Sequence, residues 1–489
     1  MITPLKKTYL QVFLVIGIVF FFIINFNQNA RLDDDYIGEQ VYWLLKDGKV
    51  HSNLIGEFGN LGIDEYQSVF HKFLVYSGYG ITKVFGWSLF TLHMNGLLYA
   101  ILFLGIFYYY IKNKYKVKWN DTVLLLPFSV LLLTNEFQEF ASSFRPEIMQ
   151  MTIGFISFIF LDKYINTKKN LPFIFSAIFA GLAFLTHLNG VVYIGAATIY
   201  LFFFKREYIR AVIYGLISSA VFGLYFADIL VYADIPYFIH QFSDDPSLAH
   251  SDFYWYSPLT KLIGEHERYY SEGFWLVFTV PLTLFIILTF KRLKKQNPFL
   301  VIYTFLAMIL FGLYAYTKTT KYILLFYPML LLLFTESFQI LQKEENWKQK
   351  FSSIFVLICL VSSVGFMVQL TVSNIYKSKD WEAYGEKVES IIGSENKILS
   401  NGNLIFDQIK NQEKIININQ FSFFRKVKGM EAYNFEELIE NTKDRDYEYI
   451  VLDNQFKKAF DVKDSDLQET EDYEVIHNED DMIILKYKK

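Results

Sequence analysis

Long apolar runs are the feature of this sequence that most limits its possible folds. Crossing about 30 Å of hydrocarbon takes roughly 17 to 25 residues in a helix, and eleven runs are candidates. They cover residues 8–27, 88–111, 121–135, 146–161, 171–187, 188–204, 208–228, 273–290, 298–315, 322–338 and 351–372. Hydrophobic residues fill 53% of the 489 positions, which excludes an ordinary soluble protein. The sequence therefore predicts a polytopic α-helical membrane protein with about 11 transmembrane helices.

The charges between these runs predict their orientation. With the N-terminus placed inside, the short loops on that side carry groups of lysine and arginine, for example at 112–118 and 291–295. The short loops of the opposite side carry only Arg145, Lys318 and Lys321. Cytoplasmic loops are enriched in basic residues, so we expect a retained first span, a cytoplasmic N-terminus and an outer C-terminus.

This topology puts the long water-exposed segments on the outer side. They are the loops 28–87 and 229–272 and the acidic segment 373–489, so we expect a transmembrane domain at 1–372 and an extracytoplasmic domain at 373–489. In the second domain, helix-like stretches alternate with strand-like ones, which predicts a small α/β fold. The helix-like stretches are 381–392 and 434–441, and the strand-like ones are 397–399, 448–452, 473–476 and 482–487. No block is basic enough to indicate a nucleic-acid partner.

Asp33, Asp34 and Asp35 follow the first span and are candidates for chemistry. Adjacent carboxylates repel one another, so a fold that keeps them together needs a cation, nearby bases, a raised pKa or full solvation. One interpretation is a general base, with no metal or with Mg²⁺ or Mn²⁺ held by the three carboxylates. The other is a solvated cap of a helix that starts near Tyr36.

The few outer bases are candidates for binding an anion. Arg145 precedes Pro146 at the start of a span, where the positive end of the helix dipole disfavours arginine unless an anion is bound. Lys318 and Lys321 share another short outer loop. The three bases predict a phosphate clamp that faces the aspartates. The alternative for the two lysines is that they anchor spans at the membrane surface.

Two further pairs of residues are candidates for lining the same cavity. His187 and Asn189 lie between two short spans, although a satisfied buried histidine is the more ordinary role. His71 and Lys72 follow an amphipathic stretch of the first outer loop and are placed to contact a lipid phosphate or to remain solvated.

Several segments together resemble a known family in their order and sidedness. The segments are the aspartates with Tyr36 and Gly48, then His71-Lys72-Phe73-Leu74, Phe144-Arg145-Pro146-Glu147, Gly181-Leu182-Ala183-Phe184-Leu185-Thr186, and Lys321-Tyr322 with Pro328. They resemble polytopic GT-C glycosyltransferases that use polyprenyl-phosphate sugars. That group includes protein O-mannosyltransferases and lipid A aminoarabinose transferases, which are glycosyltransferase family 39-like. Many relatives carry lysine at the position of His187, and the proline expected after His71 is missing.

The resemblance implies an enzyme of the bacterial inner (plasma) membrane. Asp34, with Asp33 or Asp35, would deprotonate an acceptor hydroxyl for inverting attack at the anomeric carbon. Arg145, Lys318 and Lys321 would stabilise the departing phosphate, and Tyr36, His71, Lys72, Glu147, His187 and Asn189 would line the cavity. No cofactor is then required, with Mg²⁺ or Mn²⁺ as an option. The acceptor would be a protein, lipid A or a glycan.

Two other functions remain open on the sequence. A surface-polysaccharide polymerase or ligase also has many spans and a large outer loop. A non-catalytic lipid or solute carrier has many spans too, but would place charges within them or show repeated halves.

Overall fold

The computed structural model describes most of the chain. The described residues are 5–26, 30, 32–55, 61–244, 254–315, 318–344, 347–376, 381–393, 396–406, 415–422, 425–426, 430–445, 447–463, 467, 472–479 and 481–488. Arg31, beside the aspartates, lies outside them.

Helices dominate the chain up to residue 392. Those that precede residue 271 are α1 Lys7–Phe26, α2 Leu32–Asp47, α3 Lys72–Phe85, α4 Leu89–Tyr115, α5 Thr122–Leu132, α6 Asn135–Phe140, α7 Pro146–Thr167, α8 Asn170–Thr186, α9 Val191–Ile199, α10 Tyr208–Gly223, α11 Ile229–Tyr232, α12 Ile235–Asp244, α13 Ser257–Ile263 and α14 His266–Tyr270. Those that follow are α15 Gly273–Gln296, α16 Pro298–Tyr314, α17 Tyr327–Gln342, α18 Trp347–Tyr376 and α19 Trp381–Ile392. Helices suit such apolar runs because hydrocarbon offers no partner to backbone polar groups, which must bond within the segment.

Each of the eleven predicted runs contains a helix in the structure. Within the described residues, six helices are long and apolar enough to cross a membrane by length and composition, and the others are shorter or less apolar. The six are Lys7–Phe26, Leu89–Tyr115, Pro146–Thr167, Tyr208–Tyr232, Gly273–Gln296 and Trp347–Ile375. The protein is thus an integral membrane protein, while the number of spans and their orientation stay predictions.

The aspartates lie in the first turn of α2, which begins at Leu32 rather than near Tyr36. Carboxylates in a first turn are favoured by the positive end of the helix dipole. Asp34 and Asp35 are fully buried, so the interpretation of a solvated cap does not hold for them.

A five-stranded sheet forms near the C-terminus, in the order β2-β1-β3-β5-β4. The strands are β1 Ile398–Ser400, β2 Ile415–Asn417, β3 Tyr449–Asp453, β4 Tyr473–Glu479 and β5 Met482–Tyr487. β1 pairs in parallel with β2 and β3, and β5 pairs antiparallel with β3 and β4. Helices α20 Phe435–Thr442 and α21 Asn454–Ala459 flank β3 in sequence. Each strand-like stretch of the sequence thus overlaps a strand, and β2 is a strand that the sequence pattern does not predict.

The sheet packs against the first outer segment, the loop 28–87 that the sequence predicts to lie on the outer side. The backbone N–H of Asn417 donates to the carbonyl of Leu54 at 2.9 Å, and the Phe406 ring stacks on Trp87 with centroids 5.9 Å apart. The side-chain amide of Asn417 also donates, from Nδ2, to Asp35 Oδ2 at 3.4 Å. These contacts join the sheet to the helix that carries the aspartates.

We predict that Gly402→Ala destabilises this junction. A Cβ at residue 402 would overlap Asp35 Oδ2 and lie 2.7 Å from Asn417 Nδ2, and overpacking of this kind costs about 1–3 kcal/mol. Gly105→Ala is the matched control because its Cβ would meet nothing within 4 Å. Thermal unfolding of the purified proteins should show a lower Tm for the first variant alone, and equal Tm values would contradict the prediction.

Candidate active site

A cavity of about 560 Å³ opens at the end of the bundle where α7 begins. It collects eight of the residues singled out in the sequence, namely Asp33, Tyr36, His71, Arg145, Glu147, His187, Asn189 and Lys321. They come from the first outer segment, the start of α7, the break between α8 and α9, and the turn before α17. The helical packing thus brings distant parts of the sequence to one polar site.

Arg145 is the central cation of this cavity. Its backbone is extended and Pro146 takes the first helical position, where a missing N–H costs nothing. Its guanidinium is ion-paired with Asp33 and bonds Glu147 twice, from Nη2 to Oε1 at 2.8 Å and from Nε to Oε2 at 3.2 Å. The Asp33 side chain is 45% exposed, whereas that of Glu147 is 2% exposed. Arg145 therefore bridges an accessible carboxylate and a buried one.

Lys321 supplies the second cation. Its Nζ lies 3.8 Å from Glu147 Oε1, and its side chain is 28% exposed. Burial lowers the pKa of Lys321, while the Glu147 carboxylate opposes that shift. Two cations thus face two carboxylates, and their formal charges balance.

The three aspartates point to three different surroundings. Asp34 Oδ1 accepts from the backbone N–H of Phe144 at 2.8 Å, and Asp34 Oδ2 lies 3.0 Å from His93 Nε2. Asp35 lies against Asn417, and burial raises its pKa well above the ordinary range, with the neighbouring Asp34 raising it further. Asp33 is the member of the triplet that lines the cavity.

The different surroundings of the three aspartates bear on the prediction that the triplet holds a metal ion. Asp33, Asp34 and Asp35 contact different partners instead of one shared point. Across the described residues, no group of three or more His, Cys, Asp or Glu side chains is arranged to hold a metal ion. Arg145 and Lys321 are the positive groups nearest to Glu147.

Lys72 and Lys318 lie outside the cavity lining. The Lys72 ammonium is 2.6 Å from both carboxylate oxygens of Asp228, behind the wall that Phe70 and Tyr225 form. Burial lowers its pKa to about 8 against the opposing effect of Asp228.

Lys318 is bound by the second outer segment, the loop 229–272 that the sequence predicts to lie on the outer side. Its ammonium lies 2.8 Å from Glu265 Oε2 and 2.7 Å from the carbonyl of Lys261. Glu265 is also paired with the buried Arg268 at 2.6 Å. The structure thus brings Arg145 and Lys321 together and places Lys318 in a separate ion-pair cluster.

The break between α8 and α9 adds uncharged polar groups. The rings of His71 and His187 stack with centroids 4.8 Å apart and an interplanar angle of 20°. His187 Nδ1 accepts from the backbone N–H of Asn189 at 3.0 Å, and the Tyr314 hydroxyl donates to Asn189 Oδ1 at 3.1 Å. These groups form one wall of the cavity.

Some residues of the site are not predicted from the sequence. Gln40 and Tyr314 line the cavity, and His93 is the partner of Asp34. His93 carries a usable signal, because an ionisable residue inside an apolar run is a functional candidate. The other two follow no pattern that separates them from ordinary interfacial residues.

Comparison with known proteins shows that the fold is similar to that of solved structures. No protein-family model matches the sequence, and a search of curated proteins finds no match. The structure of ArnT from Cupriavidus metallidurans bound to undecaprenyl phosphate aligns over 98% of both chains, with TM-score 0.58 and 11% identity. The Archaeoglobus fulgidus oligosaccharyltransferase aligns over 90% of this chain and 68% of its own, with TM-score 0.56 and 11% identity.

A second Archaeoglobus fulgidus structure, AglB in complex with an inhibitory peptide and a dolichol-phosphate, aligns over 92% of this chain and 70% of its own, with TM-score 0.53 and 10% identity. ArnT and AglB are GT-C glycosyltransferases. The chain therefore has the GT-C fold.

Proposed function

We propose that the protein is an integral membrane glycosyltransferase that moves a sugar from a polyprenyl-phosphate donor to an acceptor hydroxyl on the extracytoplasmic face. The observation that carries this proposal is the cavity in which the accessible carboxylate of Asp33 lies beside Arg145 and Lys321, within a GT-C fold. The acceptor classes that fit are a protein, lipid A or a glycan.

The compartment favours a lipid-linked donor. Nucleotide sugars stay in the cytoplasm, so an enzyme whose site opens outward needs a donor delivered within the bilayer. The lipids named in the similar structures, undecaprenyl phosphate in ArnT and dolichol-phosphate in AglB, are of this kind. The cavity also has apolar walls, with Phe184, Leu185 and Phe311 among its lining, which suits the lipid next to the phosphate.

The proposed reaction is one inverting displacement. Asp33 accepts the proton of the acceptor hydroxyl, whose oxygen attacks the anomeric carbon as the bond from that carbon to the phosphate oxygen breaks. The polyprenyl phosphate leaves with the electron pair. Arg145 and Lys321 stabilise this growing negative charge, which is the role preorganised cations fulfil best.

Donor binding and activation of the base are linked in this scheme. Arg145 is shared by Asp33 and Glu147. A donor phosphate competes with Asp33 for the guanidinium, because Asp33 is the more exposed partner. The released carboxylate is then available to the acceptor.

We predict that Asp33→Asn lowers sugar transfer by about 10²–10⁴-fold, the usual contribution of general-base catalysis, and lowers Tm only slightly, because Glu147 still pairs with Arg145. The measurement is transfer of labelled sugar from a polyprenyl-phosphate donor in membranes that contain equal amounts of each variant. Asp64→Asn, an exposed aspartate of the same outer segment, is the matched control.

Asp34→Asn separates the two candidate bases. The buried Asp34 accepts from Phe144 N–H and contacts His93, so we expect this variant to lower Tm. Retained transfer in Asp33→Asn together with lost transfer in a stable Asp34→Asn protein would move the base to Asp34.

We predict that Lys321→Ala raises the KM for the donor by roughly tenfold, since a hydrogen bond to a charged group contributes about 1.5–3 kcal/mol. Lys318→Ala removes the same charge from the Glu265 cluster and should change KM by no more than about twofold. Equal effects of both variants would restore Lys318 to the phosphate clamp.

We also predict that transfer persists in excess EDTA, because Arg145 and Lys321 supply the positive charge that the leaving phosphate needs. The assay is the same transfer measurement with and without the chelator. Loss of transfer that Mg²⁺ or Mn²⁺ restores would show that a divalent cation takes part.

A further inference from the structure

The stacked pair His71 and His187 has a geometry that the proposed reaction does not use. His71 precedes α3 and His187 joins α8 to the turn before α9, yet both rings line the cavity. Their centroids are 4.8 Å apart and nearly parallel, at 20°. The pair lies beside Tyr322, whose ring centroid is 6.0 Å from that of His187.

Both imidazoles are neutral near pH 7. The backbone N–H of Asn189 donates to His187 Nδ1 at 3.0 Å, so this nitrogen carries a lone pair and the ring proton is on Nε2. The pKa of His71 is lowered to about 4, chiefly by burial, with Glu147 opposing the shift and Lys321 adding to it. Two neutral rings also stack without the repulsion that two imidazolium cations would feel.

The pair has unused hydrogen-bonding capacity. Among the described residues, no protein group bonds either ring nitrogen of His71 or Nε2 of His187. A neutral imidazole offers one N–H donor and one acceptor. A sugar hydroxyl, which both donates and accepts, is the group that matches two such rings.

The charged groups of the cavity, in contrast, are already paired. Glu147 is ion-paired with Arg145, and its Oε1 lies 3.8 Å from Lys321 Nζ. Asp33 is also ion-paired with Arg145. An ammonium on the sugar would compete with the acceptor hydroxyl for Asp33, the carboxylate that the phosphate releases, and a carboxylate on the sugar would compete with the phosphate for the same two cations. The uncharged wall formed by His71, His187 and Asn189 suits a sugar that carries hydroxyls only.

We propose that His71 and His187 form the subsite for the hydroxyl groups of the donor sugar, and that the transferred sugar is an uncharged hexose or pentose. This inference rests on the proposed function and goes beyond it by naming the class of sugar. In it, the phosphate lies at the Arg145 and Lys321 end of the cavity, and the sugar ring lies against the histidine wall.

The test is a binding measurement on the full-length protein in nanodiscs, with four probes. They are polyprenyl phosphate without sugar, polyprenyl-phosphate glucose, and the glucosamine and glucuronic acid analogues of the latter. The wild-type protein should bind the glucose lipid at least tenfold more tightly than the two charged analogues. Preference for either charged sugar would overturn the proposal.

Substitutions test whether His71 and His187 cause the preference for the glucose lipid. His187→Phe and, separately, His71→Phe keep the stacked ring and remove its nitrogens, so each should weaken binding of the glucose lipid about fivefold to tenfold and leave binding of the sugar-free lipid unchanged. His187→Gln returns a side-chain N–H and should recover part of the loss. His266→Phe replaces an exposed histidine outside the cavity lining and is the matched control.

The outcomes separate this inference from the proposed function. Equal weakening of both lipids, or weakening of neither, in the two phenylalanine variants would overturn the sugar subsite. Binding with the expected discrimination but without transfer to any acceptor would support the subsite and overturn the catalytic proposal. Binding of none of the four lipids would overturn both.

Discussion

The ion pairs of Arg145 hold the cavity together. A guanidinium that is 10% exposed at the start of a helix would be strongly unfavourable without compensation, because both burial and the helix dipole oppose it. Glu147 on the same helix and Asp33 on α2 supply the compensation. The same pairs tie the first outer segment to the helical bundle. The position of the accessible carboxylate relative to the two cations of the cavity therefore depends on one side chain.

The aspartate triplet acts as a junction because it occupies one turn of a helix. Successive residues of an α-helix point about 100° apart. The three carboxylates therefore cannot all converge on one position. Asp33 meets Arg145 of α7, Asp34 meets the segment before α7, and Asp35 meets Asn417 at the end of β2. One turn of α2 thus contacts the bundle and the sheet together, and two of its carboxylates orient the third.

Much of the fold could be predicted from the sequence, and less of the site. Apolar runs and strand patterns are local signals, so helices appear in each of the eleven runs and strands in each of the four strand-like stretches. The roles of the three aspartates depend on where α2 begins. The sequence predicts a start near Tyr36, and the structure places it at Leu32. The pairing of Lys318 with Glu265 depends on how the second outer segment folds back, and no local pattern encodes that contact.

Charge balance explains why Asp33, and not Glu147, is the carboxylate that can change partners. Both are paired with Arg145, but the Glu147 side chain is 2% exposed and also faces Lys321, so separating it from its cations would leave a buried charge without compensation. Asp33 is 45% exposed, and water replaces the guanidinium at a much smaller cost in free energy. In the proposed reaction, a phosphate that enters the cavity would therefore displace Asp33 and leave Glu147 in place. The proposed lipid anion would then fix the two cations, while the freed aspartate would face the acceptor.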